Sequence, residues 1–209
     1  MADRPRRPAM LDPQQADRIV GDLDPALRSE AAHTTAAAVV HGGRLRGEDP
    51  ELVARLVALV DAEGLDTVAT LWSQSPPQTL PGALWRLYLI REWVRRDPRL
   101  IAERYRLGLH RAEVAGVVAG VAAANGPEEV LELADAVLTG VYRADLAVAL
   151  ERASAFLRVL ATGSALDADW IGDADHAHAA HVTRRASALL TTAEELESAA
   201  NLWRHARLE

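Results

Sequence analysis

The sequence predicts an all-α protein, a multi-helix bundle of about eight to ten helices with a long antiparallel helical hairpin at its C-terminal end. Alanine supplies 41 of the 209 residues and aromatic residues only 4%, a composition dominated by good helix formers. Helix-start and helix-stop signals recur, whereas the period-2 alternation typical of strands is nearly absent. We expect a single domain over 1–209, with a candidate boundary between N-terminal helices (1–75) and a main bundle (80–209).

The predicted helices begin at recognisable capping residues. Aspartate followed by proline supplies an N-cap and a favourable first helical residue, and this pair occurs at 12–13, 24–25, 49–50 and 97–98. The helix that opens at 24–25 should end at His41, because two glycines follow it. Each pair therefore predicts the start of one helix.

Four further helices are predicted from apolar spacing and glycine or proline signals. A short helix covers about 66–73, and a longer one runs from Leu80-Pro81 to about Arg96. An alanine–valine helix is expected over 112–124, and an acidic helix begins at Pro127.

The last two helices carry apolar residues at alternating spacings of three and four, which is the pattern of a coiled-coil seam. The first should cover about 142–161 and end at Thr162-Gly163-Ser164. A capping-box pattern at 192–195 could divide the second, but the seam stays in phase through it, so we favour one helix of about 30 residues. The seam residues of this helix are Ala179, Val182, Ala186, Leu189, Ala193, Leu196, Ala200 and Trp203.

Two alternatives account for this C-terminal seam. In the first it packs inside the bundle against the preceding helix, whose series is Leu146, Leu150, Ala153, Leu157 and Leu160. In the second it pairs with another protomer or with another protein. We favour internal packing, and the partner contact remains the alternative.

Composition excludes several classes of chemistry. The chain has no cysteine and, since all 23 residues of the Lys+Arg total are arginine, no lysine. Disulfides, thiolate catalysis and cysteine-ligated metal are thereby excluded, as are Schiff-base lysines and the P-loop lysine. No dinucleotide-binding, nucleophile-elbow or zincin motif is present either. We expect a protein that is not an enzyme and needs no cofactor.

Charge and hydropathy patterning predict a cytoplasmic protein. The formal net charge is −7, which opposes binding of polyanions by the surface as a whole. No apolar stretch follows the N-terminal arginines, so we expect no secretory signal. The longest uncharged stretch, 67–85, contains four prolines or glycines, so we expect no membrane association.

An Asp/His-rich segment at 167–181 is a candidate metal site. On a helix, Asp175, His178 and His181 spread over about 120° of the surface, and two of them could share a zinc, iron or manganese ion. Further ligands would come from His33, His41 or His110. The candidate ligands are Asp173, Asp175, His176, His178 and His181. The competing interpretation is a solvated helix start at which the carboxylates complement the helix dipole.

An arginine–aromatic segment at 85–111 is a candidate binding surface. Eight arginines lie there against three acidic residues, among four interleaved aromatic residues. Arginine forks with aromatic faces suit phosphate contact and base stacking. The favoured alternative is structural: the arginines pair with the acidic helix that carries Glu128, Glu129, Glu132 and Asp135. The candidate partner-binding or nucleic-acid-binding residues are Arg91, Arg95, Arg96 and Arg99.

Two stretches, LPGALWRLYLIREWVRRDPR at 80–99 and VTRRASALLTTAEELESAANLWRHARLE at 182–209, resemble a family of uncharacterised actinobacterial proteins. The arginine-for-lysine and alanine-rich usage is similar to that of a high-GC genome. The resemblance implies a cytoplasmic all-helical protein, and no catalytic residue is carried over from it.

The leading functional hypothesis is therefore a non-enzymatic interaction or regulatory protein that binds a protein partner or self-associates. The heptad series motivates it, and the basic–aromatic segment offers a second contact surface. The alternatives are a metal-binding helical protein that uses 173–181 and a nucleic-acid-associated or transcription-associated protein that uses 85–111.

Overall fold

The computed structural model describes residues 24–41, 64–112, 126–140, 142, 144–172 and 176–209, without the side chains of 111–112, 166–172 and 176–184. These residues form seven helices and no strand: α1 (Pro25–His41), α2 (Leu65–Trp72), α3 (Leu80–Arg96), α4 (Pro98–Ala112), α5 (Pro127–Leu138), α6 (Leu146–Gly172) and α7 (His176–Arg204). The all-helical prediction is confirmed for this part of the chain, but seven helices do not match the predicted eight to ten. The helices predicted from 12–13 and 49–50, and most of the one predicted over 112–124, lie outside the described residues.

Asp24 caps α1 as the sequence predicts, and Thr79, which the sequence analysis did not single out, caps α3. Asp24 Oδ1 accepts a hydrogen bond of 2.9 Å from the backbone N–H of Ala26, and α1 ends at His41 as expected. At the start of α3, Thr79 Oγ1 accepts from the backbone N–H of Gly82 at 3.2 Å. These bonds satisfy backbone donors that have no partner within the first helical turn.

Helix α3 lies at the centre of the described bundle, since it contacts each of the other six helices. Its side chains at spacings of three and four, Leu84, Leu87, Ile90 and Val94, are buried. They belong to one apolar cluster that includes residues of all seven helices. The predicted domain limits, 1–209 with a boundary near 75–80, extend beyond the described residues and stay a prediction.

Helices α6 and α7 run antiparallel to each other. At the start of α6, Asp145 accepts a 3.0 Å hydrogen bond from the indole of Trp203, near the end of α7. Further along α6, the Ser154 hydroxyl donates at 2.8 Å to the backbone carbonyl of Ala193, nearer the start of α7. This is the arrangement of the predicted hairpin.

The second helix of the hairpin is continuous, as the phase of the seam predicts. It spans 29 residues, and Thr192 Oγ1 donates back to the carbonyl of Ala188 at 3.0 Å instead of capping a new helix. Among the described residues, no helix combines the length and the apolar character that crossing a bilayer requires.

The predicted end of α6 at Thr162-Gly163-Ser164 is wrong, because the helix continues to Gly172. Gly163 lies instead at a close crossing with α4, where it faces Gly108. A Cβ atom on Gly163 would lie 1.8 Å from the carbonyl oxygen of Arg104, and one on Gly108 would lie 2.0 Å from that of Val159. The glycines are therefore needed for backbone-to-backbone approach, not for helix termination.

We expect Gly163→Ala to destabilise the protein, although alanine is the better helix former. The added methyl group meets backbone, which cannot move aside as a side chain can, so the two helices must separate. The expected loss in the free energy of unfolding is about 1–3 kcal/mol, measured by urea denaturation.

The matched control is Gly126→Ala, because a Cβ there meets only the flexible carboxylate of Glu129 within 3 Å. Gly126→Ala should lower the free energy of unfolding by less than Gly163→Ala does. A Gly163→Ala protein as stable as the wild type would contradict the close crossing of α4 and α6.

Candidate functional site

The arginines of α3 that face other helices are engaged in ion pairs. Arg86 Nε lies 2.6 Å from Glu195 Oε2 on α7, and Arg91 Nε lies 2.5 Å from Asp135 Oδ1 on α5. Arg95 approaches the same aspartate at 3.2 Å. Two of the four candidate binding arginines, Arg91 and Arg95, are thus engaged within the fold.

The predicted pairing between this arginine segment and the acidic helix α5 takes place through a single carboxylate. Asp135 forms ion pairs with both Arg91 and Arg95. Within the described part of the chain, the other three predicted partners form no ion pair: Glu128, Glu129 and Glu132. Their side chains are exposed on the outer side of α5.

The aromatic residues of the segment also serve the fold. Trp85 and Tyr88 stack at a centroid distance of 5.4 Å, and the Tyr88 hydroxyl donates to Asp66 at 3.0 Å. Burial, together with that hydrogen bond, raises the pKa of Tyr88 to about 12. Tyr105 is buried and stacks on Phe156 at 5.4 Å. These three rings offer little free surface for stacking of nucleic-acid bases.

Three further arginines lie on a solvent-facing surface. Arg96, Arg99 and Arg106 are exposed, and none of them pairs with a carboxylate in the described ranges. Two leucines are also exposed on α4, Leu100 at 39% and Leu107 at 37%. On α4, a leucine and an arginine therefore both recur after seven residues on the side that faces away from the bundle.

We define the α4 outer face as Arg99, Leu100, Glu103, Arg106, Leu107 and His110, all of which are exposed or largely exposed. The opposite side of the helix carries Ile101, Tyr105 and Gly108, which are buried against α6 and the core. Sequence reasoning singled out this segment for its arginines and aromatic residues, not for its leucines. The seven-residue recurrence of leucine beside arginine is the signal that marks the face.

The candidate seam residues of α7 are mostly covered by the chain itself. Four of them are at most 5% exposed: Ala186, Ala193, Leu196 and Ala200. Two more, Leu189 and Trp203, are half-buried against the same core, and the side chains of Ala179 and Val182 lie outside the described ones. These four buried side chains therefore offer no surface to a partner while α6 and α7 remain packed.

The candidate metal ligands lie outside the described side chains. Asp173 and Asp175 are not described, and for His176, His178 and His181 only the helical backbone is. The metal hypothesis thus stays a prediction. In the described remainder, no group of three or more potential ligands comes together, and the ring of His33 bonds to the carbonyl of Ser29 at 2.8 Å.

Sequence reasoning missed a cluster where the ends of α1 and α7 meet the start of α6. His41, Tyr142, Asp145 and Trp203 line a cavity of about 220 Å³ there. The Trp203 ring stacks on His41 at 5.9 Å and donates its indole N–H to Asp145 at 3.0 Å. These residues come from separate stretches of the chain, so no local motif announces them.

Comparison of the chain with protein-family models, with curated proteins and with solved structures finds no match. No site residue is therefore carried over from a known protein.

We expect Asp135→Ala to destabilise the bundle, because it removes the inter-helix partner of Arg91, whose side chain is only 12% exposed. A largely buried guanidinium that loses a charge-assisted hydrogen bond should cost about 1–3 kcal/mol in the free energy of unfolding. Urea denaturation measures the loss.

The matched control is Glu197→Ala, which breaks an inter-helix pair with Arg158 whose side chains are 42% and 53% exposed. Exposed pairs contribute about 0–1 kcal/mol, so this variant should lose less. Equal losses in the two variants would show that the Arg91–Asp135 pair has no special structural role.

Proposed function

We propose that this protein is a cytoplasmic, non-enzymatic helical interaction protein, and that its α4 outer face binds an acidic amphipathic helix of a protein partner. The observation that carries the proposal is the exposed pair Leu100 and Leu107, flanked by Arg99 and Arg106, which have no ion-pair partner among the described residues.

The apolar part of the face has the spacing of a helix–helix contact. Residues seven apart lie two turns apart on the same side of a helix, so Leu100 and Leu107 form a short row. A partner helix that brings apolar residues at spacings of three and four can cover both leucines. Burial of their exposed area supplies a favourable hydrophobic contribution to binding.

The charge of the face specifies the partner. Arg99 and Arg106 have no carboxylate partner in the described part of the chain, and Glu103 is the acidic residue between them. Guanidinium groups pair with carboxylates through paired hydrogen bonds. A partner helix with glutamate or aspartate beside its apolar row therefore gains affinity and orientation from these arginines.

The α4 outer face is held in place from behind. The close crossing of Gly108 and Gly163 joins the backbones of α4 and α6, and Ile101 and Tyr105 are buried on the same side. A preorganised face loses little conformational entropy when a partner binds. Because the face is rigid, it loses less conformational entropy on binding a partner than a flexible loop would.

The seam of α7 supports the hypothesis less well than α4 does. Its central residues, Ala193, Leu196 and Ala200, are fully buried. A partner would have to displace α6 to reach them. The interaction surface that we propose is for that reason the exposed face of α4.

The test uses labelled synthetic peptides of about three heptads, one with leucine at the core positions and glutamate beside them, and one with lysine in place of glutamate. We expect the full-length protein to bind the acidic peptide in fluorescence anisotropy. The double variant Leu100→Glu/Leu107→Glu should weaken binding by at least about tenfold. Arg99→Ala/Arg106→Ala should weaken binding and reduce its dependence on salt.

The matched control is Leu190→Glu, which changes a leucine on α7 that is equally exposed, at 41%. It should bind as the wild type does. Tight binding of the basic peptide, or equal binding by the leucine double variant, would contradict the proposal.

The same variants separate the rival functions. Preferential binding of duplex DNA or single-stranded RNA that depends on Arg96 and Arg99, but not on the leucines, would replace the proposal by nucleic-acid association. If the wild-type protein sediments as a dimer and the leucine double variant as a monomer, the partner of the α4 outer face would be a second copy of this chain.

The metal hypothesis has a separate test. Elemental analysis of untagged protein should show stoichiometric zinc, iron or manganese that is lost in His178→Ala if 173–181 binds a metal. Substoichiometric metal that is unchanged in His178→Ala would end this hypothesis.

A further inference from the structure

The cavity of about 220 Å³ where α1, α5, α6 and α7 meet is lined by both aliphatic and polar side chains. Val39, Val137 and Leu146 supply aliphatic surface, while Tyr142, Asp145 and Trp203 supply polar groups. Its volume corresponds to roughly seven water molecules at about 30 Å³ each. A compact molecule of about five to eight non-hydrogen atoms therefore fits inside.

The carboxylate of Asp145 is held in position by hydrogen bonds to only one of its two oxygens. Its Oδ1 accepts two hydrogen bonds of 3.0 Å, from the indole N–H of Trp203 and from the backbone N–H of Ala147. Within the described ranges, Oδ2 has no hydrogen-bond partner. The group thus presents one free, oriented acceptor oxygen.

No cation of the described bundle neutralises this carboxylate by an ion pair. Arg204, which follows Trp203 on α7, interacts electrostatically with Asp145 but is hydrogen-bonded to Glu151, with 2.7 Å between Nη2 and Oε2. Arg152 acts electrostatically on Tyr142 but does not line the cavity. The negative charge of Asp145 is therefore available to a bound cation.

The walls around this oxygen suit an organic cation. The indole of Trp203 is fixed by its stacking on His41 and by its hydrogen bond to Asp145. It therefore loses little conformational entropy when a ligand enters the cavity. Burial raises the pKa of the Tyr142 phenol, which keeps the hydroxyl protonated and able to accept a hydrogen bond from an ammonium group. Aromatic rings beside a carboxylate are a favourable environment for ammonium ions.

We infer that this cavity is a binding site for a small primary alkylammonium ion, with its ammonium group donating to Asp145 Oδ2 and its alkyl chain packed on Val39, Val137 and Leu146. The inference is independent of the proposed function of α4, because the two sites share no residue. The alkyl chain replaces water on these aliphatic side chains, and the ammonium group supplies an ion-pair partner that Asp145 does not have among the described residues.

The test is a titration of uniformly ¹⁵N-labelled full-length protein with n-butylammonium chloride, followed by two-dimensional NMR. The five tryptophans give separate indole N–H signals, and Trp203→Phe identifies the signal of Trp203. We expect a saturable shift of that signal. The uncharged n-butanol and the anionic n-butyrate, which have the same chain length, should bind at least about tenfold more weakly.

Two variants test the roles of charge and space. Asp145→Asn keeps an oxygen that can accept from Trp203 and Ala147 but removes the charge, so it should weaken n-butylammonium binding at least about tenfold and leave n-butanol binding unchanged. Ala144→Phe places a large side chain at the exposed mouth of the cavity and should abolish the shift without disturbing the core. Asp66→Asn, a control for a carboxylate elsewhere in the bundle, should bind as the wild type does.

The proposal is overturned if n-butanol or n-butyrate binds as tightly as n-butylammonium, since the site would then not select a cation. It is equally overturned if the Trp203 signal does not move at saturating amine, or if Asp145→Asn binds the amine with unchanged affinity. A protein with unchanged α4 peptide binding and no amine binding would remove this inference and leave the proposed function intact.

Discussion

Helix α3 contacts every other described helix, so most of its side chains lie against neighbours, and only Leu89, Arg95 and Arg96 of the helix are exposed. Most of its apolar side chains pack in the core, but two of its arginines also lie among neighbours. Arg86 pairs with Glu195 of α7, and Arg91 pairs with Asp135 of α5. The ion pairs hold specific helices beside α3, since a partly buried guanidinium without its carboxylate is costly. The orientation of the bundle around α3 depends on this pairing.

The same constraint separates structural from available arginines. Arginines that project from α3 toward α5 and α7 form ion pairs with those helices. Arg99 and Arg106 of α4, in contrast, point away from any neighbour in the described bundle. The glycine crossing with α6 determines which side of α4 faces outward, because only the side with Gly108 permits backbone contact. A packing requirement on one side of a helix thus defines a binding surface on the other.

The two proposed sites differ in how they arise. The α4 outer face is a periodic feature of one helix, and its recurrence of leucine and arginine is visible in the sequence once the buried side is known. The cavity at Asp145 is assembled from separate stretches, and its acceptor is oriented by a tryptophan on another helix.

Local signals determined much of the secondary structure. Aspartate–proline and threonine caps set where α1 and α3 begin, and the seven-residue phase kept α7 in one piece, because capping and periodicity act within a few residues. Gly163 could not be interpreted in this way, since the same residue ends a helix or permits a close crossing according to what lies beside it. Tertiary packing alone decided that α6 continues, that the described seam residues of α7 are mostly buried, and which arginines have no carboxylate partner in the described bundle. These outcomes depend on contacts between residues far apart in the chain, and spacing along one helix contains no information about the helix that covers it.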